Sequence, residues 1–280
     1  MPDQPVRVFI GSGEASVIER KTLIHSLRKN TRRPLDLYVF NGTHNAVEHN
    51  DESPQLAPMS LRVKYQNFTE FSLYRFLIPQ LCEHKGRAIF LDSDMVCLAD
   101  VGELFDMPMD GAAMKCVKAY GDNKWGTSVL LMDCSKCSFD LEQVYDEVAA
   151  GKYTYTDFTQ LDEPFLKLHP HTVRELDPRW NVFDCRNQDT KLIYYTNLMT
   201  QPWKHAGHAF ESLWFDHLRE AMDSGFITDS DLKKATWRGY ARLDIVEACR
   251  SGKQKSGSAG KTAKRLHWLR KLPKRLLKAG

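Results

Sequence analysis

Asp92-Ser93-Asp94 sets two carboxylates one residue apart, directly after the apolar run Ala88-Ile89-Phe90-Leu91. Carboxylates this close repel each other unless a cation lies between them, and their oxygens are the hard ligands that Mg²⁺ and Mn²⁺ prefer. Side chains at i and i+2 of an extended chain point the same way. Both acids therefore reach one divalent cation if the chain stays extended through Ser93. Such a cation also takes phosphate oxygens from a nucleotide and neutralises charge on a departing pyrophosphate. Taken alone, D-x-D is also an ordinary acidic turn, or the nucleophile motif of a phosphatase with Asp92 attacking. The phosphatase pattern places its motif near the N-terminus, whereas 91 residues precede Asp92 here.

The elements that must position this pair are legible upstream. Val6 to Ile10 reads as a buried strand ended by Gly11-Ser12-Gly13. A helical pattern follows, with Val17, Leu23, Ile24 and Leu27 near one face, and Leu35 to Phe40 is a second strand. This β-α-β opening marks a parallel sheet, and ligands of such sheets collect beyond the carboxyl ends of the strands. Residues 41–60 read as a long loop and Phe71 to Cys82 as a helix interrupted by Pro79. Further strands are expected at Ala88–Leu91, Ala112–Met114, Ser128–Met132 and Leu192–Tyr195. Helices are expected at Leu141–Ala150 and Phe210–Ala221.

Composition narrows the class. Hydrophobic residues make up 42% of the 280, enough for a packed core. There is no secretory apolar segment and no run of eighteen apolar residues, so an intracellular protein that does not span a membrane is expected. Seven scattered cysteines do not make a disulfide framework; the lone Cys134-x-x-Cys137 reads as buried reduced thiols. The net charge of +3 conceals an asymmetry. Residues 251–280 carry ten of the 39 Lys and Arg and no acid, leaving 29 basic against 36 acidic side chains in residues 1–250. Two units are thus expected: a folded domain over 1–250 and a basic linker and amphipathic tail over 251–280.

Motifs in order over roughly residues 6–208 resemble glycosyltransferase family 8, the family of glycogenin and of bacterial lipopolysaccharide galactosyl- and glucosyltransferases. Val8-Phe9-Ile10-Gly11 looks like its first nucleotide-contacting strand. Tyr74-Arg75-Phe76 resembles Y-R-L, Phe90 to Met95 resembles F-L-D-x-D, and Thr127 to Asp133 resembles N-A-G-V-L-L-I-N. Asp162 to Leu166 resembles D-Q-D-I-L, Trp180-Asn181 an aromatic-Asn pair, and Tyr194 to Trp203 resembles H-x-x-G-x-x-K-P-W.

The resemblance implies an α/β GT-A fold. That is a single Rossmann-like nucleotide-binding domain with a mixed, mainly parallel sheet. It also implies a UDP-sugar donor, Mn²⁺ (or Mg²⁺) and retention of anomeric configuration. Residue by residue it implies Asp92 and Asp94 as metal ligands, Ser93 beside the ribose and Gly11 approaching the nucleotide through its backbone. Arg75 is implied on the donor sugar or diphosphate and Asp162 near the reacting sugar. Three positions depart from the pattern. The metal-binding His is replaced in a region offering Tyr194 or Tyr195, with His205 or His208 as substitutes. The Lys of K-P-W is Gln201, with Lys204 available for phosphate. The Asn of N-A-G falls at Gly126. Plainer roles stay open: Arg75 paired with Glu70, Asp162 as a helix cap before Pro164, His205 and His208 as surface residues, and Trp180 and Trp203 as packing.

The expected activity is hexose transfer from a UDP-sugar to a glycan or lipid-linked acceptor. A sugar-nucleotide-binding protein without transfer activity is the alternative that the missing His favours. In the tail, Leu266, Trp268, Leu269, Leu272, Leu276 and Leu277 alternate with Lys and Arg around Pro273. Residues 261–280 are therefore expected to lie on an anionic membrane surface, each basic residue contributing about 1 kcal/mol. The expected location is cytoplasmic, peripheral on the inner face of the plasma membrane, with no specific nucleic acid bound.

Overall fold

Val6–Ser12 (β1) and Leu35–Asn41 (β2) lie parallel, Val6 beside Leu35 and Ser12 beside Asn41, and the helix Val17–Asn30 (α1) crosses between them. The structure, a computed structural model, describes residues 4–50, 55–56, 71–118 and 124–251. Ala46–His49 (β3) and Gln55–Leu56 (β4) extend the edge antiparallel to β2. On the other side of β1 comes Arg87–Asp92 (β5), parallel, with Gly11 beside Asp92. Met95–Cys97 (β6) leaves the main sheet. Met114–Lys118 (β7), Trp125–Asp133 (β8) and Val173–Glu175 (β9) complete it in the order β4-β3-β2-β1-β5-β8-β7-β9. Val182–Phe183 (β10) and Leu192–Tyr194 (β11) join β6 in a second, three-stranded sheet. The architecture is a mixed α/β sheet with a parallel centre, as expected.

Period-two alternation divides the wholly apolar strands between two cores. Phe9, Phe40, Phe90, Leu130 and Met132 face one side. Val8, Ile10, Val39, Ile89, Leu91, Val129 and Leu131 face the other, under Leu23, Ile24 and Leu27 of α1. Short helices follow in chain order: Ile78–Leu81 (α2), Val101–Phe105 (α3), Leu141–Ala149 (α4), Tyr155–Thr159 (α5) and Glu163–Leu168 (α6). Glu211–Asp223 (α7), Asp229–Trp237 (α8) and Ile245–Ser251 (α9) pack around a third cluster that contains Trp203 and Trp214.

Three expectations change. Residues 41–60 are not one loop, because β3 and β4 lie within that stretch. The polar run hid a hairpin in which Ala46 is buried while Val47, Glu48 and His49 stay half-buried. Residues 71–82 are not one helix: a 3-10 turn at Tyr74–Leu77 hands over to α2, and Pro79 sits at its start, where a missing N–H costs nothing. The strand expected at Ala112–Met114 begins at Met114, after the left-handed turn Asp110-Gly111 (φ 50° and 81°). Cys134 and Cys137 are free and buried. The tail 251–280 lies, from residue 252 on, outside the described residues, as does Glu70.

Candidate active site

β5 delivers Asp92 at its last residue, and the chain bends at Ser93-Asp94 before β6 begins. It therefore does not stay extended through Ser93, the condition under which both side chains point the same way. The acids nevertheless remain close enough that the Asp92 charge helps push Asp94 well above the usual carboxylate range, after burial as the main cause. Asp92 is also raised, by burial, against the pull of Arg75 and Tyr194.

Arg75 is carried by the 3-10 turn beneath the sheet and is buried. Its Nη2 donates to Asp92 Oδ1 at 3.1 Å, and Nη1 donates to Thr127 O at 2.5 Å and Thr127 Oγ1 at 3.0 Å. Its guanidinium lies 4.5 Å from the centre of the Phe90 ring. One fork thus ties the acid at the end of β5 to the start of β8. Arg75 and Asp92 thus form a buried ion pair and not a surface one.

The second sheet brings a phenol to the acids. β11 runs antiparallel to β6 with Tyr194 opposite Met95. Tyr194 Oη donates to Asp92 Oδ2 at 3.1 Å. Tyr195 points elsewhere, its hydroxyl donating to Phe210 O at 3.1 Å. The choice between the two tyrosines, open in the sequence, is made by register.

Gln201 Nε2 donates to Asp94 Oδ2 at 3.3 Å and to Tyr195 O at 3.0 Å. Its Oε1 is buried and has no hydrogen-bond partner among the described residues. A buried amide oxygen without a donor is costly unless something else satisfies it. Two carboxylates sharing one buried guanidinium are hard oxygen donors, as is the orphaned amide oxygen of the Gln201 side chain that touches Asp94, and this chemistry fits Mg²⁺ or Mn²⁺.

His208 does not fit that role. Its Nδ1 accepts from the Phe210 N–H at 3.0 Å, which leaves Nε2 to donate to Asp184 Oδ1 at 3.2 Å, so both ring nitrogens are used. His205 is exposed, as is Lys204, whose positive field reaches both Asp94 and Glu19. Ser93 is buried in the bend. Gly11 lies beside Asp92, but its lack of a side chain has an internal cause: a Cβ there would fall 2.5 Å from Phe71 and 2.8 Å from Phe90. Asp162 caps α6, accepting from the Glu163 N–H at 3.3 Å, and pairs with Lys124 at 3.6 Å. It lines an open groove of about 720 Å³ with Lys118, Lys124, Trp125 and Pro164. β8 connects that groove to the acids: Trp125 N–H donates to Gln160 O at 3.2 Å, and two residues on Thr127 Oγ1 donates to Thr159 O at 2.7 Å.

Glu19 and Arg20 were not singled out from the sequence. Both are buried on α1, and Arg20 Nη1 donates to Ser12 Oγ at 3.4 Å at the end of β1. Burial pushes Glu19 up to about 7, against the pull of Lys204 and Arg20. The signal was present: Arg20 precedes Leu23, Ile24 and Leu27 at helical spacing, so a charge interrupts the apolar stripe.

The sequence matches the family model described as glycosyl transferase family 8 over residues 17–205. The chain belongs to glycosyl transferase family 8. This family 8 glycosyltransferase is 30% identical over 244 residues to Protein CDI of Arabidopsis thaliana, covering 78% of the chain and 87% of that protein. It is 26% identical over 184 residues to glycosyltransferase GlyB of Streptococcus pneumoniae, covering 56% of the chain but only 45% of GlyB. Among solved structures it resembles the galactosyltransferase LgtC in complex with donor and acceptor sugar analogues, with a TM-score of 0.57 and 12% identity. That match covers 84% of the chain and all of LgtC. The bifunctional glycosyltransferase WbbM gives a TM-score of 0.57 at 16% identity, over 84% of the chain and 52% of WbbM. At such identities the structural likeness speaks for the GT-A fold.

Proposed function

We propose that this family 8 member is a retaining, metal-dependent transferase that moves a hexose from a UDP-sugar to a glycan or lipid-linked acceptor. The observation that carries the reading is the Arg75 fork on Asp92, set beside a second under-neutralised carboxylate at Asp94. Asp92, Asp94 and Gln201 Oε1 would hold Mn²⁺ or Mg²⁺, which supplies Lewis-acid stabilisation of the diphosphate when bound. Gln201, at the position of the family's Lys, would take over the ligand role of the missing histidine, and His205→Ala against Gln201→Ala in a metal titration decides between the two candidates.

The protein's own groups do the rest. Arg75 holds Asp92 in one rotamer, so its carboxylate is fixed before the donor arrives. Lys204 presents positive charge where the departing diphosphate accumulates negative charge. Ser93 and Gly11 form the floor beside the nucleotide. Asp162 and Trp125 line the groove proposed for the sugars, which β8 links to Arg75 through Thr127. No carboxylate is assigned as a covalent nucleophile, so the acceptor hydroxyl attacks the anomeric carbon on the face the diphosphate leaves. The leaving phosphate oxygen takes the hydroxyl proton. The tail 261–280 would hold the enzyme on an anionic membrane surface. Co-sedimentation with anionic liposomes is expected for the full chain and not for residues 1–250, and equal binding by both would contradict it.

Tyr194 supports a second reading, a sugar-nucleotide binder without transfer. A phenol on Asp92 is a weaker metal ligand than an imidazole at neutral pH. The test is a panel of UDP-sugars with Mn²⁺, read both as thermal stabilisation and as UDP release. Ligand at a hundred times Kd stabilises by about 2.7 kcal/mol. Stabilisation with release supports transfer, and stabilisation without release supports the binder.

A further inference from the structure

His25 on α1 and His217 and Glu220 on α7 bring their ligand atoms within 4.8 Å of one another, and none of the three belongs to the site above. His217 and Glu220 are three residues apart, one helical turn, and so share a face. His25 Nε2 lies 3.4 Å from Glu220 Oε2, and His217 Nδ1 lies 3.8 Å from the same oxygen. Ligands about 2.0–2.1 Å from a tetrahedral zinc stand roughly 3.4 Å apart. The spacing seen is thus close to what a small divalent ion needs.

A second observation points to a ligand. His217 is 5% exposed, and its Nδ1, directed at Glu220, is buried without a hydrogen-bond partner among the described residues. A buried ring nitrogen left unpaired at a histidine–histidine–carboxylate cluster is a vacant donor of the type that suits zinc, nickel and copper. Glu220 is half exposed and gives a path from solvent. Lys29 Nζ holds both Glu220 oxygens, at 2.6 and 2.7 Å. Its side chain is 45% exposed, so it can swing out when a cation takes its place.

We propose that His25, His217 and Glu220 form a binding site for a divalent transition metal of the zinc type, which clamps α7 onto α1. The site is separate from the Asp92–Asp94 pair in residues and in preference, since two imidazoles select a softer ion than a set of oxygens. Lys29 competes with the metal for Glu220.

Titrating the full chain with Co²⁺ tests it, reading the visible absorption of the bound ion, alongside Zn²⁺ and the thermal midpoint. Wild type is expected to show the band and a raised midpoint. Glu220→Gln and His217→Ala each weaken binding by about tenfold or more. Lys29→Met tightens it, because the competing ammonium is gone, and Asp94→Asn leaves it unchanged. Glu220→Gln changes a half-exposed side chain, so it reads the site even if His217→Ala folds poorly. Equal Co²⁺ affinity in wild type and Glu220→Gln, or no band in wild type, overturns the site. So does loss of the band in Asp94→Asn.

Discussion

At the residue scale the proposed chemistry rests on few side chains with unequal tasks. Arg75 and Asp92 are a buried pair, their side chains 8% and 10% exposed. Removing one partner of such a pair leaves a charge without compensation. Arg75→Ala is expected to cost about 3–5 kcal/mol of stability, measured by denaturant unfolding; a loss below 1 kcal/mol would mean the pair is well solvated. Asp94→Asn is milder for the fold, because burial and neighbouring carboxylates already disfavour the charged form. It should keep the wild-type midpoint or raise it. The D-x-D pair was legible because it directly follows an apolar strand, and Arg75 through the family resemblance of Tyr74-Arg75-Phe76. Glu19, Thr127 and the choice of Tyr194 were not, since each depends on which element lands beside which. The surroundings of His208 were hidden for the same reason: Asp184, which takes one of its ring nitrogens, lies 24 residues away in the chain.

Elements hold these residues by close approach and by ties between them. Gly11→Ala would drive a methyl into Phe71 and Phe90 and should cost about 1–3 kcal/mol. An unchanged midpoint would show that the rings move aside. Glu147 on α4 joins that helix to the end of α6: it accepts from Tyr153 Oη at 2.8 Å and meets His169 Nε2 at 2.5 Å. The His169 contact is the main cause that holds its pKa down at about 2. Between the unfolded value near 4.5 and 2 the folded state binds fewer protons than the unfolded one, so stability rises with pH in that window. The contribution is complete above about pH 4.5 and is lost as pH falls towards 2. Wild type and Glu147→Gln should therefore differ in midpoint at pH 6 and converge near pH 2, and a constant difference would contradict this. Strands with continuous apolar runs were readable. The β3–β4 hairpin was not, because edge strands carry polar residues, and α5 and α8 were passed over although Thr154–Asp157 and Thr228–Asp231 form capping boxes.

For the whole molecule, a mixed sheet with a parallel centre sets its acidic pair at the carboxyl end of β5. A smaller sheet continues the chain after that end and packs, through Val96 and Ile193, into the helical cluster that holds Trp203 and Trp214. The β-α-β opening and the order of motifs were enough to expect the mixed main sheet, and the family match agrees with them. Local sequence could not supply the second sheet: β6 meets β11 across nearly a hundred residues, and that pairing alone brings Tyr194 to Asp92. The central claim is that these pieces together perform sugar transfer at Asp92 and Asp94. The most direct test is Mn²⁺-dependent release of UDP from a UDP-sugar panel, run on the full chain and on Asp94→Asn. The wild type should turn over at least one donor, and Asp94→Asn should fall by about a hundredfold or more with its fold intact. Equal release by the two proteins would contradict the assignment.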